Sequence, residues 1–388
     1  MTIDWQDPAH QEIRDAIRQY AEAHFDEAML QSWDREERLP EAALAHFAGL
    51  GYMGFTVPRE YGGGGRDIGK TLVVIEELSR ISLSLAVPYL MTACYAGVNM
   101  TECGSEAQKR RFLPRVAQGA VRFAFALTER AVGSDLAMVA TTAQRRGDRI
   151  VVSGEKHLIN GVNIADHLYA LVRTDAPEHK YRNLSLLLIP VDAPGVSTAR
   201  VQSLGMRGGA QLCTVRLDDV ELDTEAIVGG EAGWNHGWKL LVGPGLDIEK
   251  LEVAAMALGV AQAAVDEASA YACERIQFGA PIAGLPGIRH FLADARTNLL
   301  ACTLMLRHAA ERIQAGLPCA TESAMAKLFI CEQARDIVLG CQTTMGAYGC
   351  IEGHGMQRRV RDALIFPLVG GSSAIQRNNL AKRLGLPQ

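Results

Sequence analysis

The 388-residue sequence has no C-x-x-C pair, although it contains nine cysteines, scattered irregularly from Cys94 to Cys350. An odd number at irregular spacing argues against a disulfide framework and reads as reduced, buried thiols in a cytosol-like compartment, so a cytoplasmic location is expected. No cysteine–histidine cluster has the spacing of zinc ligands, so no metal is expected. There is no basic excess: 39 Lys and Arg stand against 44 Asp and Glu, and the formal net charge is −5. The electrostatic footprint that nucleic acid requires is therefore missing. The first residues, MTIDWQDPAHQEIRD, are acidic and lack the apolar stretch of a signal peptide. The longest run of small apolar residues, 253–265, is interrupted by Gln262 and is too short to span a bilayer, so no membrane segment is expected. What is present is ordinary globular composition, 48% hydrophobic and 21% charged. The length exceeds one ordinary core and points to two or three domains.

The periodicity changes twice along the chain. In the first 121 residues Ile13, Ile17, Tyr20, Ala21 and Phe25 recur at helical spacing, as do Ala43, Phe47 and Leu50 before Gly51. The glycine run 62–65 reads as a loop, because no strand-turn-Lys-Ser/Thr pattern makes it a phosphate cradle. Between 122 and 231 the pattern becomes extended. A Gly-Asp turn precedes RIVVSG, and LYALVRT at 168–174, NLSLLLIPV at 183–191 and CTVRLDDVEL at 213–222 are short β-rich runs bounded by Pro, Gly and Asp. They predict a small antiparallel, barrel-like β domain, and the lack of strand–helix alternation argues against a Rossmann fold. From 232 to 388 helical character returns. Residues 249–275 lack proline and are apolar nearly all round, which predicts a central buried helix. Ile288, Phe291, Leu292, Ala295 and Leu299 mark a second helix, and Met325, Leu328, Phe329 and Ile337 a third. Long helices with short connections predict an antiparallel four-helix bundle, giving an α+β chain in α–β–α order.

Several blocks carry candidate chemistry. LTERAVGSD at 127–135 is a loop of small and hydroxyl residues, suited to a surface turn or to close approach of a flat cofactor. In GEKHLINGVNIAD at 154–166, Leu158 reads equally as a strand core residue or as a ligand contact. In LDIEK at 246–250, Glu249 taken alone is an acid in the first turn of a helix, where the dipole favours it. In ERIQFGAPI at 274–282, Arg275 offers a guanidinium fork that suits phosphate. The last block is VRDALIFPLVGGSSAIQRN at 360–378. His157, His236 and His354 lack matched partners, and no Ser-His-Asp arrangement is legible.

The order and spacing of these blocks, with VPREYGG at 57–63, resemble the acyl-CoA dehydrogenase family over essentially the whole chain. The first resembles the family's TEPGAGSD, matching at Thr128, Glu129, Gly133, Ser134 and Asp135. The second resembles GxKxWITNGxxAD, with Leu158 at the aromatic position and Asn160 at the threonine position near the flavin N5. The resemblance implies an N-terminal helical domain, a middle β domain and a C-terminal bundle, with noncovalent FAD. It implies that Phe125, Leu127, Thr128, Gly133, Ser134, Leu158, Asn160, Arg275, Gln277, Phe278, Gln342, Gly346, Ser372 and Gln376 contact FAD, Arg275 reaching the cofactor of a neighbouring subunit. Ser134 and Lys250 fall at substrate-binding positions, and Pro286 replaces a glutamine that would contact FAD.

In the usual EGTxxIQ sequence the glutamate is the base, but Gly370 stands there, leaving only its backbone N–H to assist. Isovaleryl-type and long-chain relatives instead carry the base in DxER on the central helix, and Asp247-Ile248-Glu249-Lys250 resembles that sequence. The resemblance thus implies α,β-desaturation of an acyl thioester on CoA or an acyl carrier protein, with Glu249 as base. It also implies electron-transfer flavoprotein as acceptor and a homotetramer in fatty acid metabolism. Two alternatives share the fold: a flavoprotein oxidase or monooxygenase, and a non-catalytic FAD-binding subunit of a mixed tetramer.

Overall fold

The computed structural model describes residues 7–387. Residues 1–6, part of the segment judged to lack a leader, lie outside them. Seven helices come first: α1 (Pro8–His24), α2 (Glu27–Glu36), α3 (Glu41–Gly49), α4 (Ile68–Ile81), α5 (Leu83–Leu90), α6 (Asn99–Cys103) and α7 (Glu106–Ala117). Local signals start them. The Asp7 carboxylate accepts from the Ala9 N–H at the head of α1, and Ser105 and Gln108 form a reciprocal capping box at the head of α7. Ile13 and Ile17 are buried, as their spacing predicts, whereas Leu50 lies beyond α3 and is exposed.

Residues 91–98 are π-helical and join α5 to α6 in one helix from Leu83 to Cys103. By length and composition this helix could cross a membrane, but 89% of its apolar window is buried inside the protein. It is core, and it was not apparent in the sequence because the expectation rested on the run at 253–265.

The middle region forms a seven-stranded sheet: β1 (Phe123–Ala126), β2 (Thr142–Arg146), β3 (Arg149–Asn160), β4 (His167–Arg173), β5 (Leu184–Pro190), β6 (Val196–Arg200) and β7 (Leu212–Asp223). The order is β1-β4-β2-β3-β7-β6, with β5 paired to β4. Four pairings are antiparallel, while β1 and β2 each meet β4 in parallel. The sheet is thus mixed at β4 rather than antiparallel throughout. The β3–β7 ladder shifts register between Lys156 and Ile159, which turns that stretch of β3 out of the regular pleat.

After α8 (Gly237–Leu241) comes α9 (Pro244–Glu274), the 31-residue helix expected to be central. A hairpin of β8 (Ile276–Gln277) and β9 (Ala280–Pro281) leads to α10 (Pro286–Gln314), α11 (Ala320–Met345), α12 (Met356–Ala363) and α13 (Ser373–Arg383). Helices α10, α11 and α12 pack on α9, and α13 packs on α11. Helix α4, from the N-terminal region, also packs on α9. Gly259 permits that approach, since a Cβ there would lie 2.2 Å from the Glu76 carbonyl oxygen.

Candidate active site

The first turns of α9 place Asp247, Glu249, Lys250, Glu252 and Val253 within two helical turns. Asp247 is committed locally: it accepts from the Lys250 ammonium at 2.8 Å and from the Ser323 hydroxyl of α11 at 3.2 Å. Lys250, expected to contact substrate, is buried and already paired with that carboxylate. Glu249 forms no ion pair among the described residues and keeps part of its surface open. Burial pushes its carboxyl up to about 7, against the opposing pull of Lys250 and Lys327. Lys327, on α11, is fully buried and donates to the Phe366 carbonyl at 3.1 Å. It therefore ties the 366–371 loop to the bundle beside Glu249.

That loop carries Gly370. Its backbone is left-handed, φ 61°, and a Cβ at this position would lie 2.8 Å from Val253 Cγ2. Val253 is four residues after Glu249, on the same helix face. The tertiary structure thus brings Gly370 to the face of α9 that carries Glu249. Gln376 is buried and donates to the carbonyls of Gly370 (3.4 Å) and Gly371 (2.9 Å), which fixes the loop. Ser372, expected at the cofactor, caps α13 by accepting from the Ile375 N–H at 3.4 Å.

The β-domain residues gather on the other side. Thr128 and His157 are linked twice, by the His157 N–H to the Thr128 carbonyl at 2.9 Å and the Thr128 hydroxyl to the His157 carbonyl at 2.6 Å. The blocks around 128 and 157 are therefore one surface. Leu158 stands there 51% exposed with φ 60°, so it is not a core residue. An apolar side chain held exposed in left-handed backbone is a strained arrangement of the kind that gathers at ligand sites. Leu127 is buried, Gly133 and Ser134 are exposed, and a Cβ on Gly133 would meet nothing within 4 Å.

Tyr95 of the π-helix bridges the two sides. Its ring stacks on Phe125 at 4.0 Å, and Phe125 stacks on Tyr169. Its hydroxyl is raised well above the ordinary value by burial and by the nearby charges of Glu249 and Glu252. π-Helical turns recur at functional sites.

The remaining expected residues lie elsewhere. Arg275 follows α9, about 39 Å along the axis from Glu249 at roughly 1.5 Å per residue. Gln342 and Gly346 lie at the end of α11 and meet the Arg275 region, where the guanidinium sits 5.6 Å from the Tyr348 ring. Gln342 donates to Cys350 Sγ at 3.3 Å. Gln277 and Phe278 form the hairpin, and Phe278 is 95% exposed with φ 52°. Pro286 opens α10. Within one protomer the Arg275 cluster and the Glu249 cluster are not brought together.

The residues around Leu158 fit a flat cofactor with a polar edge. The side-chain oxygens of Asn160, two residues after Leu158, and of Gln376, under the Gly370 loop, are buried without a partner among the described residues, and each calls for a donor. The sequence reading missed Tyr95, Lys327 and Glu252. Only Glu252 left a trace, as an acid at the head of the apolar run 253–265.

Family models for the acyl-CoA dehydrogenase N-terminal, middle and C-terminal domains match residues 7–120, 124–220 and 235–385. The chain is 32% identical over 375 residues to a 3-(aryl)acrylate reductase of Clostridium sporogenes, covering 97% of this chain and 98% of that protein. It is 30% identical over 366 residues to a subunit of the caffeyl-CoA reductase–Etf complex of Acetobacterium woodii, covering 94% and 95%. Among solved structures, butyryl-CoA dehydrogenase of Megasphaera elsdenii superposes with a TM-score of 0.92 at 25% identity, over 99% of this chain and 100% of that one.

Proposed function

Because the chain belongs to the acyl-CoA dehydrogenase family, whose members are FAD-dependent oxidoreductases acting on CH–CH bonds, we propose that Glu249 removes the α-proton of an acyl-CoA. The observation that carries this reading is the pairing of Glu249, partly open and without an ion pair among the described residues, with the Gly370 loop across α9. A carboxylate held near neutrality takes a proton from carbon better than an ordinary one and still ionises at working pH. The Gly370 N–H is the donor for the thioester oxygen, where negative charge grows as the proton leaves. Glycine at that position leaves room for a branched or bulky acyl group.

FAD, when bound, supplies the acceptor for the β-hydrogen. Thr128, Leu158, Asn160 and Gln376 hold it from the β-domain side and the loop. Arg275 and Gln342, remote from Glu249 in their own protomer, serve the cofactor of a neighbouring copy. The separation of Arg275 from Glu249 supports an oligomer, which we propose is a homotetramer, a dimer of dimers; action in fatty acid metabolism in the cytoplasm is part of the same proposal. The relative within an Etf complex supports electron-transfer flavoprotein as redox partner. The two curated relatives named above are a reductase and a subunit of a reductase complex, and the same residues serve that direction, Glu249 then returning the α-proton.

The test is anaerobic titration of the yellow protein with a panel of saturated acyl-CoAs, followed by flavin bleaching. Reduction by at least one, slow reaction of the reduced protein with oxygen, and activity of the isolated chain are expected. Failure to retain or rebind FAD would overturn the reading. Fast oxygen consumption would favour the oxidase alternative, and activity only with a paralogue the mixed-tetramer alternative.

A further inference from the structure

A polar cavity of about 190 Å³ lies where the N-terminal helices, the β domain and the C-terminal bundle meet. Gln31, Asp34 and Arg35 of α2 line one side. Gln357 and Arg361 of α12, with Glu352 just before that helix, line another. Arg207, from the connection between β6 and β7, closes it. None of these residues has a part in the mechanism above.

Three guanidinium groups and two carboxylates face this cavity, and two of the three cations are matched. Arg361 holds Asp34 in a fork, at 2.7 and 3.3 Å, and donates to the Leu204 carbonyl at 3.1 Å and to Gln357 Oε1 at 3.2 Å. That last bond leaves the Gln357 amide nitrogen as a donor. Arg35 and Glu352 form an exposed pair at 2.6 Å. Arg207 is left over. Its guanidinium makes no hydrogen bond or ion pair among the described residues, and its Nε is buried. A guanidinium keeps its proton at any working pH, so titration does not relieve this charge. A buried donor without a partner costs stability.

The backbone on both sides of Arg207 is clamped. The Met206 N–H donates to the buried Asp362 carboxylate at 2.6 Å. A Cβ on Gly205 would lie 2.4 Å from the Arg361 carbonyl oxygen, and one on Gly209 would lie 2.6 Å from Leu39 Cα. The connection is thus pressed between the C-terminal bundle and the N-terminal helices, and it presents Arg207 to the space between them. We infer that this cavity binds a small oxyanion of the phosphate class, with the Arg207 fork and the Gln357 amide as its donors. The volume suits an ion with a few waters and is well below the roughly 300–1,000 Å³ of sites for larger organic ligands. Asp34 and Glu352 also line the cavity, but each is answered by its own guanidinium, so the site keeps one net positive charge. A bound anion joins residues of all three regions and stabilises their arrangement. The inference is independent of the role of Glu249.

The experiment titrates the FAD-loaded protein with inorganic phosphate at constant ionic strength, chloride making up the difference, by calorimetry and by thermal unfolding. The wild type should bind phosphate saturably and unfold a few degrees higher when it is bound. Sulfate should compete. Arg207→Met should keep its FAD, weaken phosphate binding by roughly ten- to a hundredfold, the worth of a hydrogen bond to a charged group, and lose the thermal shift. Arg207→Lys, which keeps the charge but not the fork, should fall between the two. Arg216→Met removes an exposed guanidinium of β7 outside the cavity and should leave the titration unchanged. Absence of saturable binding to the wild type overturns the inference. So does equal binding by Arg207→Met or by Arg207→Lys and the wild type, which would place the phosphate elsewhere, and so does equal weakening in Arg216→Met, which would make the effect one of net charge. A wild type indifferent to phosphate whose assembly is lost in Arg207→Met would assign the guanidinium to a carboxylate of a second copy, and also overturns it.

Discussion

Two clusters of buried charge lie in the protein, and they are built differently. In the β domain, Lys156 is fully buried but its ammonium donates to Glu129 at 2.8 Å and to the carbonyls of Leu171 at 2.5 Å and Leu127 at 3.4 Å. Glu129 in turn accepts from the N–H groups of Ala140 and Thr141. Every charge there is answered. On α9, burial raises the carboxyls of both Glu249 and Glu252; Lys250 and Lys327 oppose the rise at Glu249, whereas at Glu252 the opposing group is the Cys94 thiol and Glu249 adds to the rise. The first cluster fastens the loop of Glu129 to β3. The second holds its carboxyls at raised values, which makes Glu249, the partly open one, a candidate for chemistry.

Mutations should separate the two clusters. The largest effect is expected from Glu249→Gln, which should lower flavin reduction by about 10²–10⁴-fold, the usual worth of a general base, with FAD content and unfolding temperature kept. Rapid mixing with a verified substrate measures it, and near-native reduction would mean that another group takes the proton. Lys156→Met should act in the opposite sense. It strands Glu129 in the interior and should cost about 3–5 kcal/mol in chemical denaturation. A loss of activity without loss of stability in this variant would break the comparison.

Next comes the loop against α9. Gly370→Ala forces a side chain into left-handed backbone and against Val253, which should cost about 1–3 kcal/mol. Adding Val253→Ala should recover part of the loss in a double-mutant cycle. For the same reasons Gly370→Glu should not add activity, although it restores the carboxylate that many relatives have there.

The pH dependences should also differ. Glu249 and Glu252 have folded-state values raised from 4.5 to about 7 and about 8, so the folded protein binds more protons than the unfolded chain between these limits. Stability contributed by their neutral forms is complete below about pH 4.5 and is lost as pH rises through 7 to 8. Lys156 is pushed from 10.5 down to about 8, because burial outweighs its pairing with Glu129. Its contribution therefore makes stability rise with pH above about 8. Denaturant titrations at a series of pH values should show the first slope flatten in Glu252→Gln and persist in Lys156→Met. The smallest effect should come from Lys327→Met. By removing a positive charge near Glu249 it should move the rising limb of flavin reduction, centred near pH 7 in the wild type, to higher pH. An unmoved limb would leave Lys327 with only the Phe366 contact.

The sequence pattern was a good guide wherever one face of one element decided burial. The periodic Ile13 and Ile17, the β-rich runs and the apolar α9 all form the elements expected of them. The register shift after Lys156 was hidden, because a bulge depends on the partner strand. Leu158 could be weighed only as core or contact until its backbone was known. Glu252 was visible as a letter but not as a feature, since its meaning depends on Cys94 and Tyr95 arriving from a helix some 150 residues earlier.

By itself the sequence determined the order of helical and extended regions and the types of residue available for chemistry. Helical and strand periods are local properties, and the blocks around Thr128, Glu249 and Gly370 are legible as strings. Only the tertiary structure decided that Gly370 rests on the face of α9 that carries Glu249, that Lys250 is occupied by Asp247, and that Arg275 stands far from both. It also decided that Glu252 lies buried beside Cys94 and Glu249, which raises its carboxyl, because desolvation and pairing depend on which side chains of distant segments share the same space.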